Sequence, residues 1–289
     1  MSMNRSKTNH ILIPALSLLL AVSLSVLGIA PVPAAETQAQ QTVQAEDRYH
    51  VRVNGVPMTE DPHVTAINDV CHVSLRAVVK AILPGAQISW DGKTATVSQQ
   101  GVLSLSATVG QTYLTANGRY LYVPGGVQTR RNRVMLPLNT LLKAMDAKCV
   151  WRADGSVDIT TGSGGILSGN QFYNETDLYW LSRIIHAESG NQPLLGKLAV
   201  GNVVLNRVRD SRFPNTVYGV IYQKNQFSPA ASGSVRRTPS AESVVAAKLC
   251  LDGAVALDNV LYFNRVGLNC WAAKNRPFVQ TIAEHSFYA

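Results

Sequence analysis

The sequence predicts a multidomain α+β protein in which a β-rich middle, built twice over, precedes a mainly helical C-terminal domain. Three observations predict this. The chain repeats itself at an offset of 63, with Asn54-Gly55 returning as Asn117-Gly118 and the run 73–81 returning as 136–144. Beyond residue 172, apolar residues recur at helical spacing instead. Polar or glycine-rich stretches separate these regions. A chain of 289 residues has room for about two domains of roughly 150 residues each. With 46% hydrophobic and 15% charged residues it is neither mainly disordered nor a polytopic membrane protein. Four cysteines without a C-x-x-C pair exclude a disulfide scaffold and a zinc finger, and six scattered histidines offer no paired ligand spacing, so no metal or cofactor is expected.

The elements follow in order. Arg5 and Lys7 precede the uncharged run 11–29 and the small-residue exit Ala30-Pro31-Val32-Pro33-Ala34-Ala35. That is the form of a secretory signal peptide over 1–35, with an uncleaved N-terminal anchor as the alternative. An exported, secreted protein is expected, touching membrane only through this segment. Net charge is +8, and +6 without Arg5 and Lys7. Such a balance suits a polyanionic surface such as bacterial cell wall; no basic helix or aromatic-basic motif points to nucleic acid. Residues 36–47 are polar and Gln-rich, a linker.

Each repeat within 48–161 reads alike. A short strand meets an Asn-Gly turn, where positive φ is cheap. A helix follows (Leu75, Val78, Val79, Ile82; then Leu138, Leu141, Leu142, Met145), and a hairpin carries Trp90-Asp91-Gly92 or Trp151 with Asp154-Gly155. One unit of about 60 residues has a marginal core, so two packed together are expected. The pattern Val53-Asn54-Gly55, Val73-Ser74-Leu75-Arg76-Ala77-Val78, Trp90-Asp91 resembles the copper amine oxidase N-terminal-like, or stalk, domain. The resemblance implies a wall-binding or spacer module; His50, His63 and His72 form no copper pattern. Glycine-rich 162–171 is expected as a flexible joint.

In the remaining domain, 172–289, Asn174 can cap a helix, and Leu178, Leu181, Ile185 and Glu188 share one stripe. A carboxyl ending an apolar stripe resists ionisation, as a general acid requires, whereas one just past the helix end would be solvated. Pattern alone leaves both readings open. His186-Ala187-Glu188-Ser189-Gly190, Gly201-Asn202-Val203-Val204-Leu205-Asn206-Arg207-Val208, Phe213-Pro214-Asn215, Gln226-Phe227-Ser228-Pro229, Leu261-Tyr262-Phe263-Asn264 and Ile282-Ala283-Glu284-His285 follow in order. Together they resemble the cell-wall hydrolase family typified by spore-cortex-lytic enzymes, over 177–288. The resemblance implies a lysozyme-like catalytic domain that cleaves peptidoglycan glycan strands, with Glu188 as catalytic acid. Ala283-Glu284 departs from the family's usual Gly-Asn at that place.

An ordinary glycosidase needs two carboxylates, about 5 Å apart for retention or 6.5–9.5 Å for inversion. Among Glu175, Asp177, Asp210, Glu242, Asp252, Asp258 and Glu284, none stands out as the second. A lone acid suits lytic transglycosylation; a hydrolytic muramidase or glucosaminidase and a non-catalytic wall-binding protein remain alternatives. Candidate substrate-binding residues are Asn206, Gln226, Phe227, Ser228, Tyr262, Asn264 and His285. Asn206 and Phe227 have structural readings too, as a backbone partner and as core. An exporting compartment permits Cys71–Cys149 and Cys250–Cys270 bridges, though spacing establishes neither.

Overall fold

The computed structural model describes residues 50–289. The expectations on 1–47 lie outside the described residues. Strands β1 (Val51–Val53) and β2 (Val56–Pro57) close over Asn54-Gly55, whose φ angles of 50° and 83° make the two-residue turn that suits strand twist. Then come β3 (Thr65–Ile67), β4 (Val70–Ser74), α1 (Leu75–Ile82), β5 (Gln87–Trp90) and β6 (Thr94–Gln99). Strand β7 (Leu103–Thr108) intervenes. The same order of hairpin, hairpin, helix and hairpin then returns as β8 (Tyr113–Ala116), β9 (Arg119–Tyr122), β10 (Gln128–Arg130), β11 (Arg133–Pro137), α2 (Leu138–Ala144), β12 (Lys148–Trp151) and β13 (Val157–Thr160).

The two stretches interlock. One outer sheet runs β5-β6-β7-β8-β9, the other β12-β13-β1-β2, and β10-β11-β4-β3 lies between them in the chain. Each outer sheet therefore joins the exit hairpin of one stretch to the entry hairpin of the other, and β1 pairs with β13 in parallel. Neither stretch closes a core alone: Val78 and Leu105 from the first half share one cluster with Leu121, Leu141 and Ile159 from the second. This is how a domain too small to be stable in halves gains enough buried surface.

The C-terminal region comprises α3 (Gly169–Phe172), α4 (Glu175–Ser189), α5 (Leu194–Arg209), α6 (Val217–Tyr222), α7 (Ser228–Ser232), a 3-10 turn at Ser234–Arg236 and α8 (Ala241–Leu251). A small sheet ends it: β14 (Tyr262–Arg265), α9 (Trp271–Asn275), β15 (Phe278–Ile282) and β16 (His285–Tyr288), in the order β14-β16-β15. Asn174 caps α4 by accepting from the Asp177 amide at 3.0 Å. Helices α4, α5 and α8 pack on one another around Leu181, Ile185, Val203 and Leu249. Gly201 permits the closest crossing, since a Cβ there would lie 2.6 Å from Cys250 Sγ and 2.9 Å from Ile185 Cδ1.

The stretch 162–171 is not a flexible joint. Ile166 is buried, its carbonyl accepts from Asn117 Nδ2 at 2.8 Å, and the Gly169 amide donates to the Asn117 carbonyl at 2.8 Å. Its glycines allow close approach: a Cβ on Gly165 would overlap the Val102 carbonyl oxygen. Gly165→Ala is therefore expected to cost about 1–3 kcal/mol through overpacking, read as a lower urea midpoint. An unchanged midpoint would contradict a packed seam. Beyond it, Asp252 at the end of α8 receives Arg119 Nε and Nη2 from β9, and also accepts from the Tyr173 hydroxyl at 2.5 Å. The Asp252 and Arg119 side chains are 1% and 7% exposed. Lys143 of α2 lies 3.4 Å from the same carboxylate, and Phe172 stacks beneath the Arg119 guanidinium at 3.3 Å. A buried ion pair thus ties the β-rich and helical regions together.

The four cysteines carry free thiols, so neither permitted bridge is formed. Cys250 is buried against the Leu198 carbonyl, whereas Cys270 precedes α9. Cys71 and Cys149 lie near one another, both half-buried, and burial raises both thiols above their usual pKa range.

Candidate active site

Glu188 lies inside the last turn of α4, on the face that buries Leu181, Ile184 and Ile185. The solvated reading, in which it falls past the helix end, does not hold. Its side chain is half-buried and has no hydrogen bond or ion pair among the described residues. Burial alone raises its pKa to about 7, because ionising it there forfeits hydration that no nearby charge replaces. The neighbouring His186 points elsewhere and accepts from the Ser240 amide at 3.4 Å.

This shift has a consequence for stability. The carboxyl ionises near 4.5 in the unfolded chain but only near 7 when folded. A raised acid pKa in the folded state means that stability falls as pH climbs through this window. Glu188→Gln removes the penalty. The variant is expected to gain up to about 3 kcal/mol over the parent at pH 8, relative to their difference at pH 4. A pH-independent difference in urea unfolding would contradict a desolvated carboxyl.

The other carboxylates of the region are committed elsewhere. Asp210 forms a two-pronged pair with Arg212, whose hydrogen bonds hold its pKa down to about 2. Glu242 meets the buried Lys197 at 2.6 Å, and Asp252 belongs to the ion pair described above. Asp258 Oδ1 accepts from the Asn259 amide, and the Glu284 side chain is exposed while its backbone amide donates to Gln192 Oε1 at 3.1 Å. Glu175 and Asp177 sit in the first turn of α4, at the opposite end from Glu188, where they face the helix's positive pole.

The expected substrate-binding residues divide into groups. Gln226 and Ser228 are exposed on the loop entering α7, and α7 packs on α4. Phe227 between them is 5% exposed; it is core, held against Phe263 at 6.4 Å, and offers no free face to a sugar. Asn206 is likewise occupied: its Nδ2 donates to the Val260 carbonyl at 3.0 Å, and its Oδ1 accepts from Arg209. Asn264 spends its amide nitrogen on the Arg265 and Leu268 carbonyls, which closes the turn after β14. Both asparagines thus hold backbone through Nδ2, while Asn264 Oδ1 has no hydrogen-bond partner. Tyr262 is half-buried beside Trp271, ring centres 5.7 Å apart. His285 is buried in β16 against Phe263, with Nδ1 unpartnered, and desolvation lowers its pKa.

One residue that motif reading passed over organises this group. Arg207 of α5 is buried, donates from Nε to the Leu261 carbonyl at 2.7 Å, and leaves Nη1 without a partner. Its guanidinium carbon lies 5.0 Å from the Phe213 ring, 5.2 Å from Phe227 and 5.4 Å from Tyr262. Burial lowers its pKa to about 10. Its place in α5 beside the apolar run Val203-Val204-Leu205 was the available signal, since a buried cation demands partners.

Residues 191–288 match the family model described as Cell Wall Hydrolase, a match that begins just past Glu188, and residues 52–163 match the Copper amine oxidase N-terminal domain. The spore cortex-lytic enzyme of Bacillus cereus is 34% identical over 116 residues, covering 40% of this chain and 45% of that one. The spore cortex-lytic enzyme of Oceanobacillus iheyensis is 30% identical over 136 residues, covering 46% and 49%. The chain thus spans about half the length of the curated relatives it matches. Among solved structures, the catalytic domain of the germination-specific lytic transglycosylase SleB from Bacillus anthracis is similar. It has 30% identity and a TM-score of 0.39, and the alignment covers 43% of this chain and all of that one.

Proposed function

We propose that this chain, whose residues 191–288 match the cell wall hydrolase family, is an exported enzyme that cleaves the MurNAc–GlcNAc β-1,4 bond of peptidoglycan by lytic transglycosylation. The observation that carries this reading is the isolated, desolvated carboxyl of Glu188, raised to about 7 with no second carboxylate acting on it. Near neutral pH such a group is protonated often enough to donate, and its conjugate base is strong enough to accept. Glu188 gives its proton to the glycosidic oxygen as the C1–O bond breaks. The resulting carboxylate then takes the proton of the muramic acid 6-hydroxyl, whose oxygen bonds to C1. The product is a 1,6-anhydro sugar, and neither water nor an external nucleophile is consumed.

The positive charge that develops at C1 needs dipoles rather than a second acid. Gln226, Ser228 and Tyr262 are the side chains we assign to that role, with His285 beside them as a hydrogen-bonding candidate. The exposure of Gln226 and Ser228 supports this, as does the packing of α7 on the helix that carries Glu188. The relatives' names favour spore cortex as the substrate, and we read 48–161 as a duplicated wall-binding or spacer module ahead of a lysozyme-like domain at 172–289. Digesting purified peptidoglycan and identifying the new ends by mass spectrometry tests the reaction. Anhydro-muramic ends are expected; new reducing ends would replace transglycosylation with hydrolysis.

A further inference from the structure

A cavity of about 1140 Å³ opens in the β-rich domain, remote in sequence from the carboxyl at 188 and unused by the chemistry above. Its walls come from the first turn of α1, the β5–β6 hairpin and the β10–β11 turn. Trp90 stands on the hairpin with 46% of its surface exposed, although an indole of this size is ordinarily covered. Around it lie Arg76, Lys93, Arg131 and Arg133. The acidic residues at the rim are already engaged. Glu60 pairs with Lys80 at 3.1 Å, and Asp61 lies 3.3 Å from the His63 ring and accepts from the His63 amide. Arg76 and Lys93 form no ion pair among the described residues, and Arg133 is steadied by its bond to the Arg131 carbonyl at 3.1 Å.

We infer that this cavity is a binding site for an acidic polysaccharide strand. An exposed indole offers a flat apolar surface to the face of a pyranose ring, and guanidinium groups beside it take carboxylate or phosphate by charge-assisted hydrogen bonds. The volume exceeds what a single small ligand needs and suits a strand. The inference rests on the wall-directed reading given above and adds to it a second, non-catalytic contact that holds the enzyme on its polymer. Two sources carry the required charge: the carboxylates of peptidoglycan and the phosphates of wall-attached polymers.

The test uses the full chain carrying Glu188→Gln, so that binding is measured without cleavage. This protein is sedimented with purified cell walls, either intact or stripped of phosphate polymers. Trp90→Ala, and separately the pair Arg76→Glu with Arg133→Glu, are each expected to weaken binding about tenfold, an effect of the size of one lost stacking or charged contact. Lys148→Glu reverses a charge outside the cavity and serves as the control, expected to bind as the background protein does. Loss on both wall preparations assigns the carboxylates; loss on intact walls alone assigns the phosphates. Unchanged binding by both cavity variants would overturn the site, and equal affinity for a single-stranded DNA oligomer would overturn the polysaccharide assignment. Cleavage by the parent is assayed separately. A parent that releases no new ends would sink the glycosidase reading while leaving Trp90-dependent binding intact.

Discussion

Glu188→Gln is expected to lower the rate of glycan cleavage by about 10²–10⁴-fold, the contribution a positioned proton donor makes to such a reaction. Glutamine keeps the shape of the side chain and occupies the same half-buried place at the end of α4, but it has no proton to donate. Since the folded carboxyl titrates near 7, the parent's turnover should also fall as pH rises past that value, while the residual rate of the variant should not follow the same curve. Rates on solubilised glycan strands between pH 5 and 9 check both statements. A variant that retains the parent's rate would remove Glu188 from the chemistry.

The second large effect concerns cohesion. Asp252→Ala leaves Arg119 buried with its charge unanswered and takes away the acceptor of the Tyr173 hydroxyl. The expected cost is about 3–5 kcal/mol of unfolding free energy. Much of that is the penalty of an orphaned cation, so Arg119→Met combined with Asp252→Leu should recover most of it. Chemical denaturation distinguishes the outcomes. A single variant as stable as the parent would mean that the pair contributes nothing to the seam.

Much of the fold was legible in the residues. The offset of 63 located both Asn-Gly turns and both helices α1 and α2, because turn chemistry and helical spacing are local properties. The same holds for the Asn174 cap and for the stripe that delivers Glu188 to the end of α4. What was not legible depends on partners distant in sequence. The parallel pairing of β1 with β13 joins residues about a hundred apart, which no local pattern reports.

Glycine misled at 162–171, because the same residue signals flexibility and close packing, and only the Val102 carbonyl reveals which applies. Asp252 did not stand out among the carboxylates because Arg119, its partner, belongs to the other domain. Asn206 and Phe227 sit inside motifs, yet their surroundings commit them to backbone and core. Arg207, which gathers the aromatic rings of three of those motifs, went unchosen. Motifs thus named these residues together without separating exposed side chains from those committed to core and backbone.

The most direct measurement is the titration of the Glu188 carboxyl carbon by NMR, in the full chain labelled at glutamate, with Glu188→Gln assigning the signal. A midpoint near 7 is expected for a carboxyl that burial keeps neutral. A midpoint near 4.5, the ordinary glutamate value, would show the group to be hydrated and ionised at neutral pH, and would contradict its role as proton donor.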